Sequence, residues 1–379
     1  MRICFLGLGN LPVLAREYNH HGTGGAQVQM TLLAKALVKR GYEVSMVVGD
    51  YGQEDGRAWE GVTTYKAFKH NEGLPIIRFI HPRWTKTWAA LGRSDADVYV
   101  TSCAGMHVGL LALYCNRMGK GFVFRLANDG DADPRHVLIQ TWRDKKLYEF
   151  GLRRADRLLC QNNLQRKRLK DNYSLSAAII RSFVEASVLV RPLQERRIEL
   201  LWVSNLRDIK RPGLAVDLAR SLPHRHLHMV GGPLTGAAKL YDNIQREAAT
   251  LTNLTFHGAV PYHEVSELYD RARVFINTSS SEGFPNSYLQ SWQRGVPVIA
   301  FLDPDGLIQR EGLGYAVSGM DEMRQASERL LSDDSEWQRA SDRCRVYMDR
   351  HHGDDIVLKP YILAIEKAHM VRCKSRESR

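Results

Sequence analysis

The residues best suited to chemistry lie in one segment of the second half of the chain, residues 279–300. Glu282 stands there in a loop rich in glycine and proline, and Gln290 follows eight positions later. The apolar spacing predicts a strand that ends just before this loop and a helix that begins near Asn286. The first amides of such a helix can bind a diphosphate, and both side chains can bind sugar or ribose hydroxyls. The segment therefore predicts a site for a phosphorylated sugar ligand.

Basic residues follow another predicted strand, at 198–203. Arg207, Lys210 and Arg211 lie within five positions of one another just after it. A lone cation behind a strand is usually a solvated surface residue. Three together at the end of a strand indicate neutralisation of phosphate, because guanidinium and ammonium groups pair readily with phosphate oxygens.

The elements that must position these residues alternate between strand and helix. In the first half, strands are predicted at 2–6, 44–48, 97–100 and 122–126, with helices at 25–40, 108–118 and 139–154. A polar stretch at 188–197 indicates a linker. Strands then follow at 198–203, 227–230, 254–256, 274–276 and 296–301, with helices at 214–222, 240–251 and 265–272 between them.

This alternation predicts an α/β fold of two tandem doubly wound Rossmann-like domains facing across a cleft. Residues 1–188 form the first predicted domain and residues 189–359 the second. Ligands of such sheets bind outside the carboxyl ends of the strands. The predicted basic residues and Glu282 both follow strands in this way.

A dinucleotide fingerprint is the obvious rival interpretation. Gly7 and Gly9 follow the first strand, but Pro12 occupies the position of the third glycine. The loop then continues for about a dozen residues before a helix begins near Gly25, whereas a dinucleotide pyrophosphate needs the helix directly behind the strand. An NAD-dependent oxidoreductase is therefore a disfavoured alternative. Gly25 itself allows close approach of an anion or a sugar.

Charge points to anionic partners. The 379 residues include 53 Lys and Arg against 42 Asp and Glu, for a formal net charge of +11, and seven of the cations crowd residues 153–170. Such a field favours nucleotides, phospholipid head groups or nucleic acid. Since no helix-turn-helix pattern or basic motif interleaved with aromatic residues is present, nucleic acid is not expected. An anionic membrane surface is the alternative to a plain solvated face.

The cysteines and the hydropathy of the sequence indicate where in the cell the protein is expected. The six cysteines are scattered without a Cys-x-x-Cys pair, which disfavours a disulfide framework and a structural zinc site. No apolar run is long enough for a membrane-spanning helix. The expected location is the cytoplasm, either free or peripheral on the inner face of the membrane.

Two further sets of residues are candidate metal ligands, and each is incomplete. The first consists of three alternating histidines, which would face one way on a strand but lack a carboxylate: His224, His226 and His228. The second is an acidic run without the glycine and distal glutamate of a calcium loop: Asp129, Asp131 and Asp133. No metal and no cofactor are therefore expected.

Taken together, these motifs resemble the retaining glycosyltransferases of family 4, which have the GT-B fold. That family carries a glutamate, seven intervening residues and a second glutamate, and this chain matches it at Glu282, Gly283 and Phe284. The resemblance covers nearly the whole chain. Its further matches lie at 24–26, 40–44, 155–157, 203–210, 230–233, 256–258 and 295–299.

The resemblance implies a role for each matching residue. Lys210 would contact the donor diphosphate, with Arg207 as a second cation, and Glu282 would bind hydroxyls of the transferred sugar. Gln290 would touch the ribose. The remaining donor-binding residues that it implies are Gly25, Arg211, Gly258, Val260, Gly283, Phe284, Pro285, Asn286 and Ser287. The donor would be a UDP-sugar or GDP-sugar, and the acceptor a glycan, a lipid-linked glycan or a small molecule.

The chain also departs from the family pattern. Asn205 stands where an arginine is usual, and Gln290 replaces the second glutamate. Asn128, followed by Asp129, stands in place of a histidine, so these two residues are the predicted acceptor-side pair. The departures leave a non-catalytic nucleotide-sugar-binding protein as an alternative. The resemblance finally implies that the last helix, near 360–371, crosses back to the first domain.

Overall fold

The chain divides into two compact units in a computed structural model that describes residues 1–18, 24–75, 77–184, 190–233 and 238–377. Unit 1 comprises Met1–Phe183 with Asp354–Arg379, and unit 2 comprises Val184–Gly353. The domain boundary expected at residues 188 and 189 lies outside the described residues.

Unit 1 is an α/β domain built on one eight-stranded sheet. Its strands are β1 (Arg2–Leu6), β2 (Glu43–Val48), β3 (Ala58–Trp59), β4 (Val62–Lys66), β5 (Val98–Ser102), β6 (Gly121–Arg125), β7 (Arg157–Cys160) and β8 (Ala178–Ile179). Its first helices are α1 (Leu11–Leu14), α2 (Gly25–Lys39), α3 (Thr85–Ser94), α4 (Met106–Met118), α5 (Trp142–Arg154) and α6 (Asn163–Tyr173). The strand order is β3-β4-β2-β1-β5-β6-β7-β8, parallel except where β3 meets β4.

Unit 2 repeats the architecture with six parallel strands. They are β9 (Ile198–Val203), β10 (Leu227–Val230), β11 (Leu254–Phe256), β12 (Ala272–Asn277), β13 (Val298–Ala300) and β14 (Gly314–Ala316). The helices are α7 (Pro212–Ser221), α8 (Ala238–Ala248), α9 (Tyr262–Arg271), α10 (Asn286–Gln293), α11 (Leu307–Glu311), α12 (Met320–Ser332) and α13 (Asp334–His351).

The strand order of unit 2 is β11-β10-β9-β12-β13-β14. The chain therefore winds outwards from β9 in one direction and from β12 in the other, so that β9 and β12 are neighbours where the winding reverses. Loops after these two strands leave on opposite sides and open a crevice, which is where ligands of doubly wound sheets bind. Apolar clusters cover both faces of the sheet, one around Trp202 and one around Trp292. The predicted pair of doubly wound domains is confirmed.

The last helix, α14 (Asp354–Glu377), belongs to unit 1. The family resemblance predicts its start near Pro360. The helix instead begins six residues earlier and continues through Pro360. The side chains of Val357, Leu358 and Tyr361 are buried in the same cluster as strands of the first sheet, and this packing outweighs the proline. In the part of the chain that the structure describes, no helix is both long and apolar enough to cross a membrane.

Several predicted elements differ from the observed ones only at their boundaries. The helix predicted from residue 139 begins at Trp142, because the Thr141 hydroxyl caps it by accepting a hydrogen bond from the amide of Asp144 at 3.2 Å. The strand predicted at 296–301 is shorter, at 298–300. Further elements were not predicted, and most of them lack a long apolar run: β3, β4, β7, β8, β14, α1, α3, α6, α11, α12 and α13.

Two glycines allow α4 and α5 to pack backbone against backbone. A Cβ atom on Gly151 of α5 would lie 2.5 Å from the backbone of Val108 in α4. A Cβ atom on Gly109 would lie 2.4 Å from the carbonyl oxygen of Leu147. Both glycines are buried. This close approach fixes the start of α4, which follows the carboxyl end of β5.

We expect Gly151→Ala to destabilise unit 1 by about 1–3 kcal/mol, because the added methyl group forces the two helices apart. Gly92→Ala is the matched control, since Gly92 lies in α3 and its Cβ would meet no atom within 4 Å. It should stabilise the unit by about 0.5–1 kcal/mol through helix propensity alone. Urea unfolding followed by circular dichroism measures both. If both variants shift the urea midpoint in the same direction, the close contact between α4 and α5 does not determine how the helices pack.

Candidate active site

Lys210 lies directly behind the first strand of unit 2. A single 3-10 turn, Asp208–Lys210, follows β9, and Pro212 then starts α7. The Thr278 hydroxyl donates a hydrogen bond to the carbonyl oxygen of Lys210 at 2.6 Å and accepts one from the Trp202 indole at 2.9 Å. The turn is thereby fixed to both β9 and the end of β12. Lys210 is 8% exposed, so its side chain is held away from bulk water.

Glu282 reaches the same place from the loop after β12. The amide of Ser280 in this loop donates to the carbonyl oxygen of Ile209 at 2.8 Å, which fastens the loop to the 3-10 turn. The buried Ser279 hydroxyl donates to Oε1 of Glu282 at 3.1 Å. The glutamate is thus oriented by a neighbouring side chain rather than left to move in solvent.

The two side chains form an ion pair in which Nζ of Lys210 contacts Oε1 of Glu282. Their side chains are 9% and 17% exposed. Burial, with the charge of Arg207 nearby, lowers the pKa of Lys210 to about 7. The contact with the Glu282 carboxylate acts in the opposite sense and favours the charged ammonium. The lysine therefore needs an anion beside it to keep its charge at neutral pH.

Arg207 is the second cation of the site. It precedes the 3-10 turn in an extended conformation and is half-buried. Its charge lowers the pKa of Lys210 because two cations repel each other. The end of β9 therefore concentrates positive charge where Glu282 supplies one carboxylate, an arrangement suited to a polyanionic ligand.

Arg211, the third predicted cation, has contacts that hold the loop together. It adopts a left-handed conformation with φ of 46°. Its guanidinium donates from Nε to the carbonyl oxygen of Thr278 at 2.7 Å and from Nη2 to that of Ser279 at 3.3 Å, and it lies 4.5 Å from the centre of the Phe301 ring. These contacts stabilise the loop that carries Glu282. Direct contact between Arg211 and a ligand stays a prediction.

The start of α10 forms another wall of the site. Phe284 packs its ring against Tyr288 and Trp292, which fixes the direction of the loop that enters the helix. Pro285 precedes the helix and supplies no side-chain hydrogen bond to its first turn. Amides at a helix start have no partner within the helix and favour anions. The predicted donor-binding run from Gly283 to Ser287 therefore lies at a helix end that can receive phosphate.

Glycines allow the loops behind β9, β10 and β11 to pack closely. A Cβ on Gly231 would lie 2.1 Å from the carbonyl oxygen of Ser204, and the amide of Gly231 donates to the carbonyl oxygen of Gly258 at 2.8 Å. Gly258 has φ of 66°, which side chains rarely adopt. Val260, two residues on, is half-buried. The predicted Gly258–Val260 contact surface thus lies at the same edge of the sheet as Lys210.

Unit 1 has its own cavity at the corresponding place. A cavity of about 190 Å³ is lined by loops that follow β1 and β5, the neighbouring strands where the winding of this sheet reverses. Ser102, Cys103 and His107 line it, and sequence reasoning missed all three. Cys103 has φ of 70°, and burial lowers the pKa of His107. Only the left-handed backbone and the strand order identify these residues, and neither can be read from the sequence.

The predicted acceptor-side pair is engaged in local hydrogen bonds. Oδ1 of Asn128 accepts from the amide of Gly130 at 2.8 Å, and Oδ1 of Asp129 accepts from Asn162 at 2.9 Å and Gln165 at 3.1 Å. Both residues follow β6, beside the cavity-lining strand β5. Their role towards an acceptor stays a prediction, while their present contacts fix the turn after β6. Gly25 lies at the exposed first position of α2, and its role in binding the donor also stays a prediction.

Only two of the three histidines considered as metal ligands lie on one side, since the ring centres of His226 and His228 are 5.0 Å apart. Strand β10 begins only at residue 227, so His224 precedes the pleated region and contacts Glu328 at 2.6 Å. His228 forms a hydrogen bond of 2.9 Å with His257 instead. Within the described ranges, no three His, Cys, Asp or Glu side chains converge as metal ligands would.

Comparison with known proteins gives two family matches. Residues 23–187 match the model of Glycosyltransferase Family 4, and residues 197–333 match the model of Glycosyl transferases group 1. The two matches together cover most of both units. No curated protein sequence matches this chain.

Solved structures share the fold. Sucrose-phosphate synthase from Thermosynechococcus elongatus is 16% identical with a TM-score of 0.74, over 96% of this chain and 98% of that one. Anabaena HepE, solved with UDP and glucose, is 11% identical with a TM-score of 0.71, over 97% and 99%. S. aureus TarM, as a G117R mutant solved with fondaparinux, alpha-GlcNAc-glycerol and UDP, is 13% identical with a TM-score of 0.63. The alignment with TarM covers 75% of this chain but only 59% of the TarM chain.

A double-mutant cycle measures the strength of the ion pair. We expect Lys210→Met and Glu282→Gln each to destabilise unit 2, because each leaves a buried polar group without its partner. The double variant should lose less than the sum, with a coupling energy of about 1–3 kcal/mol from urea unfolding.

The control cycle uses Arg220→Met and Asp217→Asn. This ion pair of 2.6 Å lies in α7 of the same unit, but its side chains are 50% and 53% exposed. Its coupling should be at most about 1 kcal/mol, because solvent screens exposed pairs. Equal coupling in the two cycles would contradict the assignment of a desolvated pair to Lys210 and Glu282.

Proposed function

Because the chain belongs to glycosyltransferase family 4, it is a glycosyltransferase, and we propose that unit 2 binds a UDP-sugar or GDP-sugar as the donor. The observation that carries this proposal is the Lys210–Glu282 ion pair. It lies between β9 and β12, where a doubly wound sheet binds its ligands, and Arg207 adds a second cation. The presence of UDP in the solved structures of HepE and TarM supports UDP as the nucleotide.

Binding of the donor separates the two side chains of the ion pair. The diphosphate carries more negative charge than one carboxylate, so it replaces Glu282 as the counterion of Lys210. Glu282, still held by the Ser279 hydroxyl, is then available to accept hydrogen bonds from hydroxyls of the sugar. One exchange of partners thus neutralises the phosphates and orients the sugar.

Transfer breaks the bond between the sugar carbon and the phosphate oxygen and forms a bond to the oxygen of an acceptor hydroxyl. The proton of that hydroxyl passes to the leaving diphosphate. Negative charge develops on the diphosphate as it leaves. Lys210, Arg207 and the first amides of α10 stabilise that charge without rearrangement, because the loops that carry them are already fixed. Gln290, half-buried in the second turn of α10, binds the ribose as an uncharged hydrogen-bonding group.

The acceptor is a glycan, a lipid-linked glycan or a small molecule that binds to unit 1. The cavity lined by Ser102, Cys103 and His107 supports this assignment, together with the polar turn at Asn128 and Asp129. The proposal includes retention of the anomeric configuration, as the resemblance to the retaining family implies. Proton NMR of the product distinguishes retention from inversion by the coupling constant of the anomeric proton.

A thermal-shift screen tests the donor site. One nucleoside diphosphate among UDP, GDP and ADP should raise the unfolding midpoint by several degrees, since a ligand at about 100 times its dissociation constant adds about 2.7 kcal/mol. NAD should have no effect. The shift should be lost in Lys210→Gln, which removes the ammonium but keeps a polar side chain.

Lys239→Gln is the matched control, because Lys239 is an exposed lysine of α8 in the same unit. This variant should keep the full shift. A shift with NAD alone, or equal shifts in both lysine variants, would contradict the proposal. A shift without any release of nucleoside diphosphate from the sugar nucleotide would favour the non-catalytic alternative.

A further inference from the structure

Several large apolar side chains of unit 1 project into solvent from two neighbouring segments. Five large apolar side chains that are more than half exposed in the described structure lie there. They form the exposed apolar surface: Leu74 at 68%, Ile77 at 52%, Ile80 at 62%, Leu138 at 62% and Trp142 at 75%. Leaving an aromatic and four aliphatic side chains in water loses the free energy that their burial would provide. A concentration of this kind marks an interaction site.

The backbone puts the first three of these side chains on one side. The amide of Ile77 donates to the carbonyl oxygen of Leu74 at 3.1 Å, and the amide of Ile80 donates to that of Ile77 at 2.9 Å. The same carbonyl oxygens also accept from the amides of Arg78 at 2.7 Å and His81 at 3.0 Å, so these are helical turns in which residues three apart are neighbours on one face. Leu74, Ile77 and Ile80 therefore form one row.

A cation–π contact joins the two segments. The guanidinium carbon of Arg143 lies 3.6 Å from the centre of the Phe79 ring. Arg143 is next to Trp142 at the start of α5, and Phe79 is next to Ile80. The row of aliphatic side chains and the exposed tryptophan are thus parts of one surface.

Positive charge surrounds this surface. Residues 69–86 contain four Lys and Arg against one Glu, and residues 134–146 contain four against one Asp. Arg78, Arg83 and Arg143 are close enough for the first and third to lower the pKa of Arg83, after the larger effect of burial. The single glutamate contacts Lys86, and Asp144 pairs with Arg143 at 2.9 Å. Asp133 and Glu149, which flank the second range, pair with Arg135 and Lys146, so eight cations stand against four carboxylates and remain in excess.

The other basic region, at 153–170, is a weaker candidate for an interaction site. Arg153 donates to the carbonyl oxygen of Tyr173 at 3.1 Å, and Arg168 donates to that of Asp129 at 3.1 Å. Arg154 lies 4.4 Å from the centre of the Phe150 ring. Several of its cations thus hold neighbouring elements together, and only Leu164 among its large apolar side chains is exposed in the described structure.

We propose that the exposed apolar surface docks unit 1 onto an anionic lipid bilayer. Trp142 and the aliphatic row would enter the boundary between head groups and acyl chains, while the surrounding arginines and lysines pair with anionic head groups. Each such cation near an anionic surface strengthens binding about fivefold. The charge complementarity selects a membrane over an uncharged partner, and the inference does not depend on the sugar-transfer reaction.

Sedimentation of the full chain with vesicles tests this proposal. Vesicles of phosphatidylcholine with about one third phosphatidylglycerol should bind the chain, whereas phosphatidylcholine alone should bind it at least about tenfold more weakly. The double variant Ile80→Ser, Trp142→Ala should lose about tenfold or more in partition onto the anionic vesicles. Both positions are exposed, so the fold should be preserved, and an unchanged circular dichroism spectrum checks this.

The matched control is Val346→Ser with Leu363→Ser, at apolar positions that are 46% and 49% exposed on α13 and α14. It should bind vesicles like the parent. The proposal is overturned if the parent does not sediment with anionic vesicles, or if the surface variant sediments as well as the control. Light scattering supplies a third outcome. If the parent self-associates and only the surface variant is monomeric, the membrane proposal is also overturned, and the surface is an interface between copies of the chain.

Discussion

The contact between Lys210 and Glu282 takes an ammonium and a carboxylate out of water at the end of one sheet. Such a pair is stable only when both partners are held, because the desolvation of either charge alone costs several kcal/mol. The strand order of unit 2 meets this condition by making β9 and β12 neighbours. The Thr278 hydroxyl and the Ser280 amide then fasten the two loops together. The same loops determine where the start of α10 lies, so the remainder of the candidate site depends on this pair.

Much of this arrangement could be predicted from the sequence, because parallel α/β folds repeat a simple signal. Short apolar strands alternate with helices of regular spacing, and their ends are marked by glycine and by polar clusters. This signal placed Lys210 and Glu282 behind strands, where ligands bind. The motif around Glu282 then indicated sugar chemistry. Neither inference required knowledge of how the strands are ordered.

What the sequence did not reveal depends on that order. That Lys210 and Glu282 contact each other follows only from the pairing of β9 with β12, whose paired residues Ile198 and Ala272 are 74 positions apart in the sequence. The cavity beside Cys103 likewise arises from the pairing of β1 with β5. The hydrogen bonds of the Arg211 guanidinium to loop carbonyls follow from its left-handed backbone, which no local pattern indicates, and its contact with a ligand stays a prediction. Side-chain direction after a strand is a tertiary property.

The exchange of Glu282 for a diphosphate as the partner of Lys210 is the central claim, and NMR of 13C-labelled lysine tests it most directly. The resonance of Lys210, assigned by its absence from Lys210→Gln, should titrate near pH 7 in the free protein, in keeping with a pKa of about 7. With saturating UDP or GDP, whichever binds, the pKa should rise by at least about one unit, because the diphosphate stabilises the ammonium. Binding would then take up a proton near neutral pH. An unchanged pKa in the presence of bound nucleotide would show that Lys210 does not meet the diphosphate.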